Sequence, residues 1–111
     1  MGSAWKIEAE DEVDTWLMKL STRDAARARF YLQLLTEHGN TLAMPHVRSL
    51  GYGLRELRFH LRDEQRRITF WIAPDRRIVL LTTFRKQRQN EHREVEQAHK
   101  ALKRVQQEFD R

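Results

Sequence analysis

At 111 residues, 40% hydrophobic and 33% charged, the chain can bury one modest core and is too short for a second domain. It has no cysteine, which excludes disulfide and thiolate chemistry and suits a reducing cytosol. The start of the chain turns acidic by Glu8, without a basic-then-apolar leader, and no apolar run approaches the roughly 20 residues that span a bilayer, so a cytoplasmic protein without membrane contact is expected.

The formal net charge is +5, and it is unevenly placed. Residues 44–90 hold 11 basic against 4 acidic side chains, while the rest of the chain is slightly acidic. Arginine outnumbers lysine 16 to 5, which fits bidentate phosphate contacts better than generic solvation. A phosphate-rich partner is therefore the first expectation, and an acidic protein partner or a merely solvated face is the alternative.

In chain order, Ala4–Ala9 alternates Trp5 and Ile7 with polar residues and predicts a short strand. Asp11 can cap a helix that places Val13, Trp16, Leu17 and Leu20 on one face. Ser21-Thr22 re-caps the chain for a second helix carrying Ala25, Ala28, Tyr31, Leu32 and Leu35 inward, which stops near Gly39-Asn40. These two helices form a hairpin. His46–Leu50 reads as another short strand, and Gly51-Tyr52-Gly53 as a tight turn.

Three alternating runs follow, Leu54–Leu61, Arg66–Ala73 and Arg77–Lys86, joined by turns at Asp63-Glu64-Gln65 and Pro74-Asp75. Asn90 can cap a final helix with Glu91 and Glu94 in its first turn. Its apolar residues Val95, Ala98, Leu102, Val105 and Phe109 make a narrow seam that docks on the sheet or on the helix hairpin. The fold class is α+β: an antiparallel sheet of four or five strands, an N-terminal helix hairpin and a C-terminal helix.

Alternation sorts the strand residues by face. Leu57, Phe59 and Leu61 share a greasy face with Ile68, Phe70 and Ile72, which leaves Glu56, Arg58 and His60 on the other side with Arg67, Thr69 and Trp71. Arg58 and Arg67 are the candidate phosphate or transition-state ligands. Arg85 and Lys86 point to opposite sides, so one of them supplies a third cation. His60 is the candidate proton carrier, Trp71 a candidate stacking platform for a base, and Arg55, Arg66 and Arg85 further candidate RNA contacts. The structural alternatives are an ion pair of Arg58 with Glu56 or Glu64, Trp71 as core beneath the last helix, and His60 as a solvated side chain. His38, His46, His92 and His99 are scattered without metal-ligand spacing, so no metal and no cofactor is expected.

Leu50–Arg58 (LGYGLRELR), Arg67 with Ile68 and Phe70, and Leu80–Lys86 (LLTTFRK) together resemble the ordered motifs of the phage-derived, HigB-like branch of the RelE/ParE toxin superfamily. The similarity is close over residues 46–100. It implies a single toxin domain over residues 1–111, acting as a ribosome-dependent mRNA endonuclease without a metal. It also implies three partners: the ribosome, its messenger RNA, and a cognate helix-turn-helix antitoxin that silences the toxin. Relatives of the ParE type share the fold and inhibit DNA gyrase instead. A non-catalytic nucleic-acid-binding module is the third class.

Overall fold

The alternating runs form strands where their periodicity puts them, and the computed structural model, which describes residues 4–87 and 91–110, shows what covers each face. The elements in order are β1 (Lys6–Ala9), α1 (Asp11–Met18), α2 (Thr22–His38), a 3-10 turn (Gly39–Thr41), β2 (Val47–Gly51), β3 (Leu54–His60), β4 (Gln65–Ala73), β5 (Arg77–Arg85) and α3 (His92–Phe109). They build one five-stranded sheet in the order β1-β5-β4-β3-β2.

The strands β2 to β5 form an antiparallel meander, as their short connections require. The first strand differs from the all-antiparallel expectation: β1 pairs parallel with β5, Ile7 opposite Ile78, and makes the sheet mixed. A parallel pair needs a long crossover, and here that crossover is nearly the whole domain. Helix boundaries also shift slightly. Asp11 lies in the first turn of α1 rather than at its cap, which Glu10 occupies. Ser21 does cap α2, its hydroxyl accepting from the Asp24 amide at 3.2 Å. Asn90 lies outside the described residues, and Glu91 is the residue that precedes α3.

One face of the sheet buries Leu57, Phe59, Ile68, Phe70, Ile78 and Leu80 against Val13, Ala28 and Leu35 of the helix hairpin. The face read as cationic is divided. Its half nearest the start of β3 carries Leu54, Trp71, Ala73, Val79 and Leu81, and α3 covers it with Ala98, Ala101, Leu102 and Val105. The α3 seam is thus used for docking on the sheet, opposite the hairpin. Only the other half, around Glu56, Arg58 and Arg67, keeps the polar character that alternation assigned to it.

The end of α2 shows why a glycine is needed. Gly39 has φ +53, and a Cβ there would lie 2.1 Å from the Trp5 ring. Gly39→Ala is expected to cost about 1–3 kcal/mol in backbone strain and about as much again in overpacking. A urea melt checks this: an unchanged midpoint would contradict the packing of Trp5 over the turn.

Candidate functional site

The polar half of the sheet face is built by three adjacent strands. Arg58 of β3 lies directly opposite Arg67 of β4, an arrangement of like charges that opposes pairing unless something offsets it. Glu56, two residues before Arg58 on the same face, is the offset: its Oε1 lies 3.7 Å from Arg58 Nε and 3.6 Å from Arg67 Nε. The structural alternative of an Arg58 ion pair is therefore present, and it is shared. One carboxylate cannot hydrogen-bond both forks at those distances. The Nε atoms of Arg58 and Arg67 are both buried without a hydrogen-bond partner, a state that carries an energetic penalty and an affinity for an acceptor.

The two arginines differ in reach. The Arg67 side chain is 4% exposed and that of Arg58 25%, so Arg58 is the group an incoming ligand meets and Arg67 the fixed charge behind it. One Nη of Arg67 donates to the Arg66 carbonyl at 3.2 Å, which anchors the guanidinium to its own strand. Burial pulls the Arg67 pKa below its ordinary value, with the charge of Arg58 acting the same way and that of Glu56 opposing. An arginine remains protonated under these conditions.

Burial also pushes the Glu56 carboxyl up from its ordinary value, against the opposing pull of Arg67 and with help from Glu91 at the start of α3; Arg58 and Arg48 pull it down to a smaller extent. A carboxyl whose folded pKa is raised favours the folded state below its unfolded value and loses that contribution as pH rises through the folded value. Glu56→Gln should therefore gain stability relative to wild type as pH rises above 4.5, the ordinary carboxylate value. The same substitution removes the resident anion, so sulfate should bind the variant several-fold more tightly. Acidification should strengthen sulfate binding to wild type more than to the variant, which lacks the carboxylate that protonation neutralises. Calorimetric titration at several pH values checks both signs.

β2 begins only at Val47, opposite Leu57, and the chain before it leaves β3 after the His46 carbonyl accepts from the Arg58 amide at 2.8 Å. A cleft of about 310 Å³ opens there, lined by Arg58, His60 and Arg67 together with Tyr31, His46 and Gln65. His60 thus shares a cleft with both arginines. Gln65 pairs with His60, and its carbonyl accepts from the Lys86 amide at 2.8 Å. Continuing the register, Lys86 falls on the same face as Arg67 and Phe84, at the rim of this end.

Four predicted RNA contacts lie elsewhere. Arg55 is on the hairpin face, donating to the Asn40 carbonyl at 3.1 Å. Arg66 is on that face too, bonded to Glu64 and Thr83 and stacked 4.4 Å above the Trp16 ring. Arg85 stands beside it and shares Glu64. Trp71 packs edge-on against Phe109 at 5.1 Å beneath α3. Its indole is thus partly buried against the core beneath the last helix, four residues along β4 from Arg67.

The reading by periodicity passed over Glu56 as a buried hub, Arg48 beside it, and His46 in the cleft. The signal for Glu56 was its position between Leu54 and Leu57, both fully buried. His46 carried no local signal; its place follows from the loop that delivers its carbonyl to the Arg58 amide at 2.8 Å.

Chemically, the cleft offers two fixed guanidiniums for a phosphate or a pentacoordinate phosphorane, and two imidazoles, the side chains best suited to moving protons in catalysis. Among the described residues no group of three or more His, Cys, Asp or Glu is arranged to hold a metal. Nor is any helix there long and apolar enough to cross a membrane.

Residues 15–106 match the model of a family described as phage-derived protein Gp49-like. No curated protein sequence matches the chain significantly. Among solved structures, the chain is similar to the free state of an Escherichia coli toxin RelE variant in which two arginines are replaced by alanine. The TM-score is 0.59 at 13% identity, over 92% of this chain and 98% of that one.

Proposed function

We propose, from the premise that this chain belongs to the Gp49-like family of phage-derived proteins and has the RelE fold, that it is the toxin of a toxin–antitoxin pair and acts by cutting messenger RNA on the ribosome. The similarity to the RelE/ParE superfamily read from residues 46–100 is borne out by that membership together with the fold, and the placement in its HigB-like branch belongs to the proposal. The endonuclease activity, its dependence on the ribosome, the cytoplasmic setting and a helix-turn-helix antitoxin belong to the proposal.

The observation that carries it is the Arg58–Arg67 pair, two guanidiniums on adjacent strands that share one buried carboxylate and line a cleft. Attack of a ribose 2′-oxygen on the adjacent phosphate builds negative charge on the phosphoryl oxygens. Two guanidiniums held by a sheet stabilise that charge without reorganising. His60 and His46 lie on the same cleft, where one takes the 2′-hydroxyl proton and the other gives a proton to the departing 5′-oxygen. Lys86 at the rim adds a long-range attraction for the RNA backbone.

Mapping RNA 5′ ends after induction tests this reading. New ends within translated messages, lost when translation is blocked beforehand, are expected. Intact messages with cleaved DNA would overturn it in favour of a gyrase inhibitor. Binding to a short single-stranded RNA should also weaken with salt, log affinity falling by roughly 0.7 per phosphate neutralised per decade of salt. A flat salt response would contradict a phosphate-binding face.

A further inference from the structure

The turn between β2 and β3 holds a tyrosine where the backbone disfavours one. Tyr52 and Gly53 are the two central residues, with φ of 58° and 86°, the mirror-image hairpin turn that Asn-Gly or Gly-Gly suits. A bulky side chain in the left-handed region is strained. Here the strain is not offset by burial: the Tyr52 side chain is 93% exposed. Its one ring neighbour is His99 of α3, edge-on at 5.9 Å. Strain of this kind, held at an exposed side chain, clusters at functional surfaces.

Between that ring and α3 lies a groove of about 540 Å³ with Leu102 at its base and, on its rim, Lys103 and the ion pair of Lys100 with Glu96 at 3.7 Å. A second cleft, of about 410 Å³, is lined by Arg48, Leu50, Glu56 and Val95. Both lie along α3, with Val95 lining the second and Glu96 the first, and Leu50 of the second is two residues before Tyr52 of the first. The second cleft ends at Glu56, the carboxylate between Arg58 and Arg67. A path therefore runs from the paired guanidiniums, past Arg48, to an exposed aromatic ring flanked by two lysines.

We propose that Tyr52, with Lys100 and Lys103, forms a base-stacking subsite for an unpaired nucleotide farther along a strand whose phosphate is held at Arg58 and Arg67, six residues and roughly 20 Å away along β3. This rests on the reading of that pair as a phosphate site. A polymer with a phosphate at every step and a flat ring beside each one matches both ends of the path, whereas an acidic peptide matches the cations and leaves the ring unused. Stacking on an aromatic face accepts any base, so the subsite adds affinity and sets the path of the strand.

The test is binding of a short single-stranded RNA carrying 2-aminopurine to the purified protein, with an abasic oligonucleotide of equal charge as control. Tyr52→Asn should raise the melting temperature by a few degrees, because asparagine tolerates the left-handed region. It should also weaken RNA binding by roughly 10-fold and abolish the stacking quench. Tyr52→Phe should keep both affinity and quench, and the abasic oligonucleotide should bind all three proteins alike. A Tyr52→Asn protein that is folded and binds RNA with the wild-type affinity and quench overturns the subsite. So does a variant that loses an antitoxin or another protein partner while RNA binding stays intact, which would make the groove a protein-docking surface. Cleavage by Arg58→Ala separates the two ideas: if that variant is inactive while Tyr52→Asn binds and cuts normally, the stacking subsite alone falls.

Discussion

Arg58→Ala should lower mRNA cleavage by on the order of 10²-fold or more while leaving the fold intact. The size of the effect follows from removing one preorganised donor from a developing oxyanion. The fold survives because a quarter of the Arg58 side chain is already exposed and Glu56 keeps Arg67 as its partner. Arg67→Ala should lose at least as much activity and also destabilise the protein, since it empties a buried volume and leaves Glu56 with one counter-charge instead of two. Lysine at either position should restore only part of the rate, a point charge lacking the two-pronged donor geometry of a guanidinium. Single-turnover cleavage together with a thermal melt of each variant measures both quantities. Wild-type cleavage by a folded Arg58→Ala protein would place the chemistry elsewhere.

The largest effect on stability is expected at Phe70. Its side chain is fully buried, in β4 at the centre of the sheet, opposite Arg55 on one side and Leu80 on the other. Phe70→Ala should cost about 3–5 kcal/mol, the transfer free energy of the ring plus the cavity left behind. Against a total of about 5–15 kcal/mol for a domain, that is a large share. Because β4 also carries Arg67, three residues away on the opposite face, activity should fall with the folded fraction. Urea denaturation gives the number, and a loss below about 1 kcal/mol would contradict the placement of Phe70 in the core.

The second half of the chain was legible because β3 and β4 obey a strict period of two. Leu57, Phe59, Ile68 and Phe70 could be assigned to one face, and Arg58 and Arg67 to the other, from parity alone. Parity also separates Arg55 and Arg66 from that pair, and the structure agrees. β5 obeys the rule less well: its register with β4 shifts between Thr69 and Phe70, which leaves Leu81 as an extra residue and puts Thr82 on its face, while Leu80 and Leu81 enter different cores as alternation requires. The second core stayed hidden because local patterning does not say what lies across Leu54, Val79 and Leu81. With it went the fate of Trp71, which no local pattern could distinguish from an exposed platform until α3 was seen to lie across it. The parallel pairing of β1 with β5 joins residues 69 apart in the bonded pair Glu8 and Arg77, beyond what periodicity reports. Within the site, the two arginines and a pairing of Arg58 with Glu56 were legible. That the carboxylate is buried and shared with Arg67 follows only once the strands on either side of it are known.

The most direct test combines purified ribosomes, a defined message and this protein, with cleavage positions read by primer extension. Wild type should cut at discrete positions within the translated region, only when ribosomes are present, and Arg58→Ala should leave the same message intact while still binding it. Cleavage that is equal for wild type and folded Arg58→Ala protein, or no cleavage by wild type under conditions where it arrests translation, would contradict the assignment of the paired guanidiniums as the centre of an mRNA-cutting site.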